Sequence, residues 1–365
     1  MEPENVSPGD AKQRLVERAR ELGFEACRIA PAEVPPHAEA FRRWLAEGRA
    51  GEMAWMERNV DRRTDPQQVL PGARALVMVA KSYSGGGDGG EQMRSAPYQV
   101  ARYAWGEDYH EVLLPRLRSL EAVLEECGGR QRSYVDTGPV LERDFAALAG
   151  VGWHGKSTML ISRELGAFFF LGAILTTLEL PADEPAKDRC GSCVRCIEVC
   201  PTQAIIAPRE LDARRCVAYL TIELKGAIPL EFRPLIGNRI YGCDDCAAVC
   251  PWNRFARASG EARFAAREFV QRWALRDFLR LDPGGFRNLF KGSPILRIKR
   301  RGFLRNVCVA LGNTGTLADI PALEQAVADP EPLVAEHALW ALQRIRERFL
   351  PEAVPGVCEK AETGT

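Results

Sequence analysis

The chain has 365 residues, enough for two or three domains, and its 49 basic and 49 acidic side chains cancel, so any contact with a polyanion must be a local patch. Its first residues show neither the basic stretch nor the apolar stretch of a secretory signal. The longest apolar run, residues 165–178, is too short for a bilayer and contains two glycines, and the many unpaired cysteines fit a reducing, cytoplasmic compartment.

In chain order, Ser7, Pro8 and Asp10 are the cap, first-turn proline and capping-box acid of a helix whose apolar stripe is Ala11, Leu15, Ala19 and Leu22, with Gly23 as the stop. "FEACRIA" (24–30) reads as a strand and "HAEAFRRWLAEG" (37–48) as an amphipathic helix. A basic loop holding Arg58 follows, for which a solvated loop is the simplest reading. "ARALVMVAKSY" (73–83) is a buried strand and "SGGGDGGEQ" (84–92) a flexible loop. "ARYAWGEDYH" gathers Arg102, Tyr103, Asp108, Tyr109 and His110 in one polar, aromatic turn, and a helix runs to Glu126. The strand "RSYVDTGP" places Asp136 at its end. There it either faces a ligand, as strand ends of open α/β sheets do, or caps a helix starting at Pro139. Strands alternating with helices to about residue 180 predict an α/β domain.

"GVGWHGKST" (150–158) satisfies the Walker A pattern, but a helix precedes it and a strand follows, the reverse of a phosphate loop. Its glycines permit close backbone approach, and Lys156, Ser157 and Thr158 offer donors. "LGAFFFLGAILTTL" then reads as a buried strand.

The strongest signal is "CGSCVRCIEVCP", with Cys190, Cys193, Cys196 and Cys200 in the spacing by which bacterial-type ferredoxins hold [4Fe–4S] clusters. "YGCDDCAAVCP" adds Cys243, Cys246 and Cys250, and Cys216 lies between. Eight thiols are the number two cubanes need. In the crossed arrangement Cys190, Cys193, Cys196 and Cys250 hold one cluster and Cys200, Cys216, Cys243 and Cys246 the other, with Cys216 replacing the ligand missing from the second run. Zinc sites rarely use this spacing. The remaining thiols, Cys27, Cys127, Cys308 and Cys358, read as buried small hydrophobes or inert surface groups. Beyond residue 260 the pattern turns helical, broken at 312–315 and at Asp329-Pro330, with Leu333, His337, Trp340 and Ile345 on one face, as in one or two HEAT-like repeats. "FKGSPILRIKRRGFLRN" concentrates Lys291, Arg297, Lys299, Arg300, Arg301 and Arg305, which is either a solvated helix face or a phosphate-binding patch.

Taken together, "VDTGPVLER", "GVGWHGKST", "RYAWGEDYH", the cysteine runs and "GNRIYGCDDCAAVCPWN" resemble epoxyqueuosine reductases over nearly the whole chain. One departure is Ser157, where that family's loop usually has Asn; a serine can still donate a hydrogen bond. The resemblance implies an α/β cobalamin domain like that of reductive dehalogenases (1–182), a ferredoxin-like domain with two [4Fe–4S] clusters (183–257) and a helical HEAT-like tRNA-binding tail (258–365). It implies reduction of epoxyqueuosine to queuosine at the tRNA wobble position, the last step of queuosine biosynthesis. Asp136 is then the proton donor, since a carboxylic acid in a semi-apolar pocket can hold its proton toward neutrality. Arg58, Tyr103, Asp136, Lys156, Ser157 and Thr158 would contact cobalamin, and the basic tail residues would contact tRNA. Asp108-Tyr109-His110 begins the D-x-H-x-x-G motif of cobalamin sites with an axial histidine, but the glycine is missing, so no histidine ligand to cobalt is expected. The implied partners are modified tRNA and an external low-potential electron donor, with no membrane and a monomeric chain. The alternatives are a reductive dehalogenase, whose twin-arginine signal is not seen, and a plain two-cluster electron carrier.

Overall fold

The computed structural model describes residues 6–85 and 96–350; most of the glycine-rich stretch 84–92, and Cys358, lie outside them. The first helix, α1, runs Pro8–Glu21 with Ser7 as its cap: the Ser7 hydroxyl accepts the Asp10 N–H at 3.2 Å and donates to the Asp10 carboxylate at 2.6 Å.

A four-stranded sheet follows, built from β1 (Ala26–Pro31), β2 (Ala75–Ser82), β3 (Gln131–Tyr134) and β4 (Phe169–Thr176) in the order β1-β2-β4-β3. Every pairing is antiparallel, with Ala26 opposite Ala80, Ala75 opposite Thr176 and Gln131 opposite Thr176. The layers are those expected of an α/β unit, but the strand directions are not those of parallel βαβ repeats. All eight residues of β2 are buried because both sheet faces are covered, which explains its unbroken apolar run. Val77 and Val79 pack on one face with Leu15 of α1 and with Leu113, Leu117 and Leu120 of α2 (Tyr109–Glu126). Leu76 and Met78 pack on the other with Phe145 and Ala146 of α3 (Glu142–Leu148). Each fully buried leucine or valine contributes about 1.5–3 kcal/mol of hydrophobic free energy.

The Walker-like stretch is a tight hairpin, in which Trp153–His154 pairs antiparallel with Leu160–Ile161. A Cβ on Gly152 would lie 2.4 Å from the Ile161 carbonyl oxygen, so the close approach its glycines allow is to the chain itself. No helix follows, and a P-loop is excluded.

Residues 190–250 contain short helices, one small hairpin, Ile205–Ala207 with Glu210–Leu211, and a strand, Arg239–Tyr241, that pairs parallel with Gln99–Val100. The tail carries α4 (Lys299–Thr314), α5 (Ile320–Val327) and α6 (Pro332–Phe349). Helices α4 and α6 touch at Gly312, where a Cβ would meet the Trp340 ring at 2.4 Å. The apolar cores cross the expected domain limits. Tyr98 and Val100 share a core with Ile240, Tyr241, Phe278 and Phe303, while Ala50 and Met53 share another with Val217, Leu220 and Ile236. Cys308 is fully buried in the first of these, as a small hydrophobe. Among the described residues no helix is long and apolar enough to cross a membrane.

Candidate active site

Asp136 follows β3 directly, with φ of 59°, in the left-handed region that aspartate tolerates better than most residues. It does not cap a helix: α3 begins only at Glu142, after Leu141. The turn instead places it on the wall of a cavity of about 520 Å³ that is lined also by the helix Ala38–Ala46, the start of α3 and the hairpin at 205–211. Tyr109 donates to Asp136 Oδ2 at 2.7 Å. As the first residue of α2, behind the Asp108 cap, Tyr109 is anchored by a 4.4 Å stack on Phe170 of β4. Burial, reinforced by the Asp136 charge, holds its phenol far above the usual range, so it stays a donor at all ordinary pH.

Three groups in this cavity were not anticipated from sequence. Arg63 is buried, donates to the Gly138 carbonyl at 3.3 Å, and keeps its Nε without a partner among the described residues. Glu142 has a buried Oε1 with no partner among the described residues; burial first, then the neighbouring Asp136 charge, pushes its carboxyl up to about 8. Glu142 therefore holds a proton at neutral pH. Asp144 is buried between two histidines, His37 Nδ1 and His154 Nε2, each 2.8 Å from its Oδ1. Burial alone would raise the Asp144 carboxyl, but the His154 ring against it and the bond to His37 hold it below the usual range. Phe41, Trp44, Met53, Trp55 and Met56 supply an apolar lining. An apolar slot with orphaned donors and acceptors suits a large amide-fringed ring such as a corrin.

The six expected cofactor contacts divide. Asp136 and Thr158 line the cavity. Lys156 and Ser157 face a smaller cysteine-lined cavity, where Lys156 Nζ donates to the Gly191 carbonyl at 2.8 Å. Arg58 is exposed just beyond the helix Ala54–Glu57, and Tyr103 packs edge-on against Tyr109, not among the cavity's lining residues, and donates to the Tyr241 hydroxyl at 3.2 Å.

The thiols fall into two groups. Cys190, Cys193, Cys196 and Cys250, with Cys246 at the edge, line the smaller cavity of about 120 Å³. Burial, and next the Cys190, Cys196 and Cys193 thiols, push Cys250 up to about 11, so a residue some fifty positions downstream sits among the first run. Cys246 is raised by burial and then chiefly by Cys216, with Cys200 also close. Cys216 and Cys243 pack against the core containing Ala50 and Met53, and Met53 lines the large cavity. No described cysteine forms a disulfide.

The basic tail is reduced by one residue. Arg305 is 1% exposed, and its guanidinium donates to the carbonyls of Leu220, Leu224 and Gly226 and to Asn306, so it is a structural strut and not a phosphate contact. Arg300 is largely occupied by Asp329 and the Leu281 carbonyl. Arg297 pairs with Glu223 and sits 5.9 Å from the Trp55 ring, at the cavity rim. Lys291, Lys299 and Arg301 are exposed along an open groove that Arg287 also lines.

Comparison with known proteins agrees with this geometry. Residues 189–253 match the family model for a 4Fe-4S double cluster binding domain, and residues 63–137 match the one described as Epoxyqueuosine reductase QueG, DUF1730. The chain is 46% identical to an epoxyqueuosine reductase of Xanthomonas campestris pv. campestris, covering 92% of this chain and 96% of that one. It is 40% identical to that of Escherichia coli, over 92% and 90%. Among solved structures it is similar to an epoxyqueuosine reductase crystallised with a tRNA-Tyr epoxyqueuosine-modified stem loop (TM-score 0.84, 30% identity, 92% and 90% covered). It is also similar to the Bacillus subtilis enzyme captured with an aspartate catalytic loop swung out of the active site (TM-score 0.82, 29% identity, 92% and 90% covered). With two-domain signatures in order and close relatives matched nearly end to end, the chain belongs to the epoxyqueuosine reductase family.

Proposed function

We propose that this chain reduces epoxyqueuosine to queuosine at the wobble position of tRNA, binding cobalamin in the large cavity and two [4Fe–4S] clusters on the two thiol groups. The observation that carries this is Asp136: its turn, hydrogen-bonded by Tyr109, opens into a cavity whose far wall adjoins the Cys216 and Cys243 thiols. Removing the epoxide oxygen as water takes two electrons and two protons. Cobalamin held there would supply a reduced cobalt nucleophilic toward carbon, with the clusters as its source of electrons.

The protein's own side chains manage the proton and the substrate. Tyr109 occupies Oδ2 of Asp136, which leaves Oδ1 to address the epoxide oxygen and to pass on to it, as that oxygen gains charge, a proton taken from Glu142. Glu142, protonated at neutral pH on the same wall, is a proton store beside it. Arg63 and Thr158 face the cavity as polar contacts for the cofactor, while Trp44 and Met53 help exclude water. Lys291, Lys299 and Arg301, with Arg297 at the rim, contact tRNA phosphates. On this reading residues 1–182 form the catalytic unit, 183–257 the ferredoxin-like unit and 258–365 a HEAT-like, tRNA-binding tail. The chain works as a cytoplasmic monomer supplied by a separate low-potential donor. Adding cobalamin to the cluster-loaded protein tests the cavity: the visible spectrum should show bound cobalamin, and filling the cavity by Thr158→Trp should abolish it. Equal binding by both proteins would contradict the assignment.

A further inference from the structure

The two thiol groups differ in what covers them. The Cys216 and Cys243 side is walled off by the core around Met53 and Val217. The Cys190–Cys196 turn, in contrast, lies at the surface: Gly191, Ser192, Val194 and Arg195 are exposed. An electron arriving from outside therefore meets this group first.

The surface around that turn has a definite character. Its small cavity is lined by three cations, Lys156, Arg189 and Arg195, and by no carboxylate. Val194 is 38% exposed and Phe255 48% exposed, so both offer apolar surface beside these cations. Phe255 lies 5.4 Å from Trp252, which lines the same cavity, and the Arg254 guanidinium sits 4.6 Å over the Phe255 ring. Among the described residues no carboxylate pairs with Arg189, Arg195 or Arg254. Of the nearby acids, Asp188 is already paired with Arg209, and Glu198 ends the short helix that Arg195 begins.

We propose that this face, apolar at its centre and cationic at its rim, is the docking site for a small acidic electron-carrier protein. The inference rests on the reading above that clusters on these thiols feed the cavity. A small-molecule reductant needs no exposed phenylalanine and gains little from a cationic rim. A protein carrier uses both: transient redox encounters are small, steered by complementary charge and sealed by a few apolar contacts. Each encounter oxidises the carrier by one electron and reduces the outer cluster by one. Two encounters, with two protons, account for conversion of the epoxide to an alkene and water.

The test uses the cluster-loaded, full-length protein and reduced flavodoxin as an acidic probe, with loss of cluster absorbance followed by stopped flow. Arg254→Glu lies outside the cysteine-lined cavity and avoids every cysteine. It should slow reduction by flavodoxin about tenfold or more at low salt and flatten its ionic-strength dependence. Reduction of the same clusters by dithionite, the iron content and dithionite-driven turnover should stay unchanged. Phe255→Ala should slow the flavodoxin reaction without altering its salt dependence. If the charge-reversed protein is reduced by flavodoxin as fast as wild type, the face is not the docking site. If wild type is reduced by neither flavodoxin nor an acidic ferredoxin, the partner class is wrong. Failure of dithionite-driven epoxide reduction by wild type would instead strike the functional reading and leave the docking measurement intact.

Discussion

Replacing Asp136 by Asn isolates the carboxylic proton from everything else that residue does. Position 136 has φ of 59°, a conformation that costs roughly 1 kcal/mol or more for an ordinary side chain and that Asn and Asp tolerate best. The Asn amide oxygen can still accept the 2.7 Å bond from Tyr109, so the turn should keep its shape. What disappears is a group able to deliver a proton. Loss of a general acid typically costs about 100- to 10,000-fold, or about 3–5 kcal/mol of transition-state stabilisation. Single-turnover assays with dithionite and epoxyqueuosine-containing tRNA should show that fall, with cobalamin binding, iron content and tRNA affinity unchanged. Asp136→Ala should lose as much rate and also melt lower, because it surrenders both the Tyr109 bond and the left-handed preference. Turnover by Asp136→Asn within a few-fold of wild type, with cofactors intact, would refute the role given to this carboxyl.

Other perturbations test other parts. Cys216→Ala should remove about half the iron and sulfide while sparing the Cys190, Cys193, Cys196 and Cys250 site; full retention measured by iron and sulfide analysis would overturn the ligand grouping. Lys299→Glu with Arg301→Glu should weaken stem-loop binding and reduce the slope of log affinity against log salt by about 1–2, read by titration at several salt concentrations. Glu142 has a folded-state carboxyl raised from 4.5 to about 8, so its contribution to stability is fully present below about pH 4.5 and is lost as pH rises toward 8. Glu142→Gln should accordingly match wild type in melting temperature at pH 4.5 and exceed it at pH 8.5, and parallel curves would show that Glu142 ionises freely.

What could be read in the sequence was local. The cysteine spacing is a short-range pattern, and the structure sets Cys250 around one small cavity with Cys190, Cys193 and Cys196. The helix 109–126 and the strand 75–82 were legible because each buries a continuous face, period 3.6 in one and unbroken in the other. Asp136 was visible at its strand end, although the rule that drew notice to it belongs to parallel sheets and this sheet is antiparallel. Side chains whose roles depend on distant partners escaped. Arg305 reads as one of a basic run, yet the carbonyls it satisfies lie about eighty residues upstream, and α4 is buried nearly all round over 302–312. Arg63 and Glu142 reach the cavity only because the turn after β3 meets the short helix Val60–Thr64 in space. A local signal existed for Glu142 alone, as the acid six positions beyond Asp136 in "VDTGPVLER". The cap alternative for Asp136 failed because Pro139 and Val140 extend the turn before the helix begins.

The central claim is most directly tested by anaerobic incubation of the cluster-loaded protein with epoxyqueuosine-containing tRNA and dithionite, with and without cobalamin, followed by digestion and nucleoside analysis. The account predicts conversion of epoxyqueuosine to queuosine only when cobalamin is supplied. Unchanged epoxyqueuosine with both clusters and cobalamin bound and reduced, or conversion that proceeds equally without cobalamin, would contradict it.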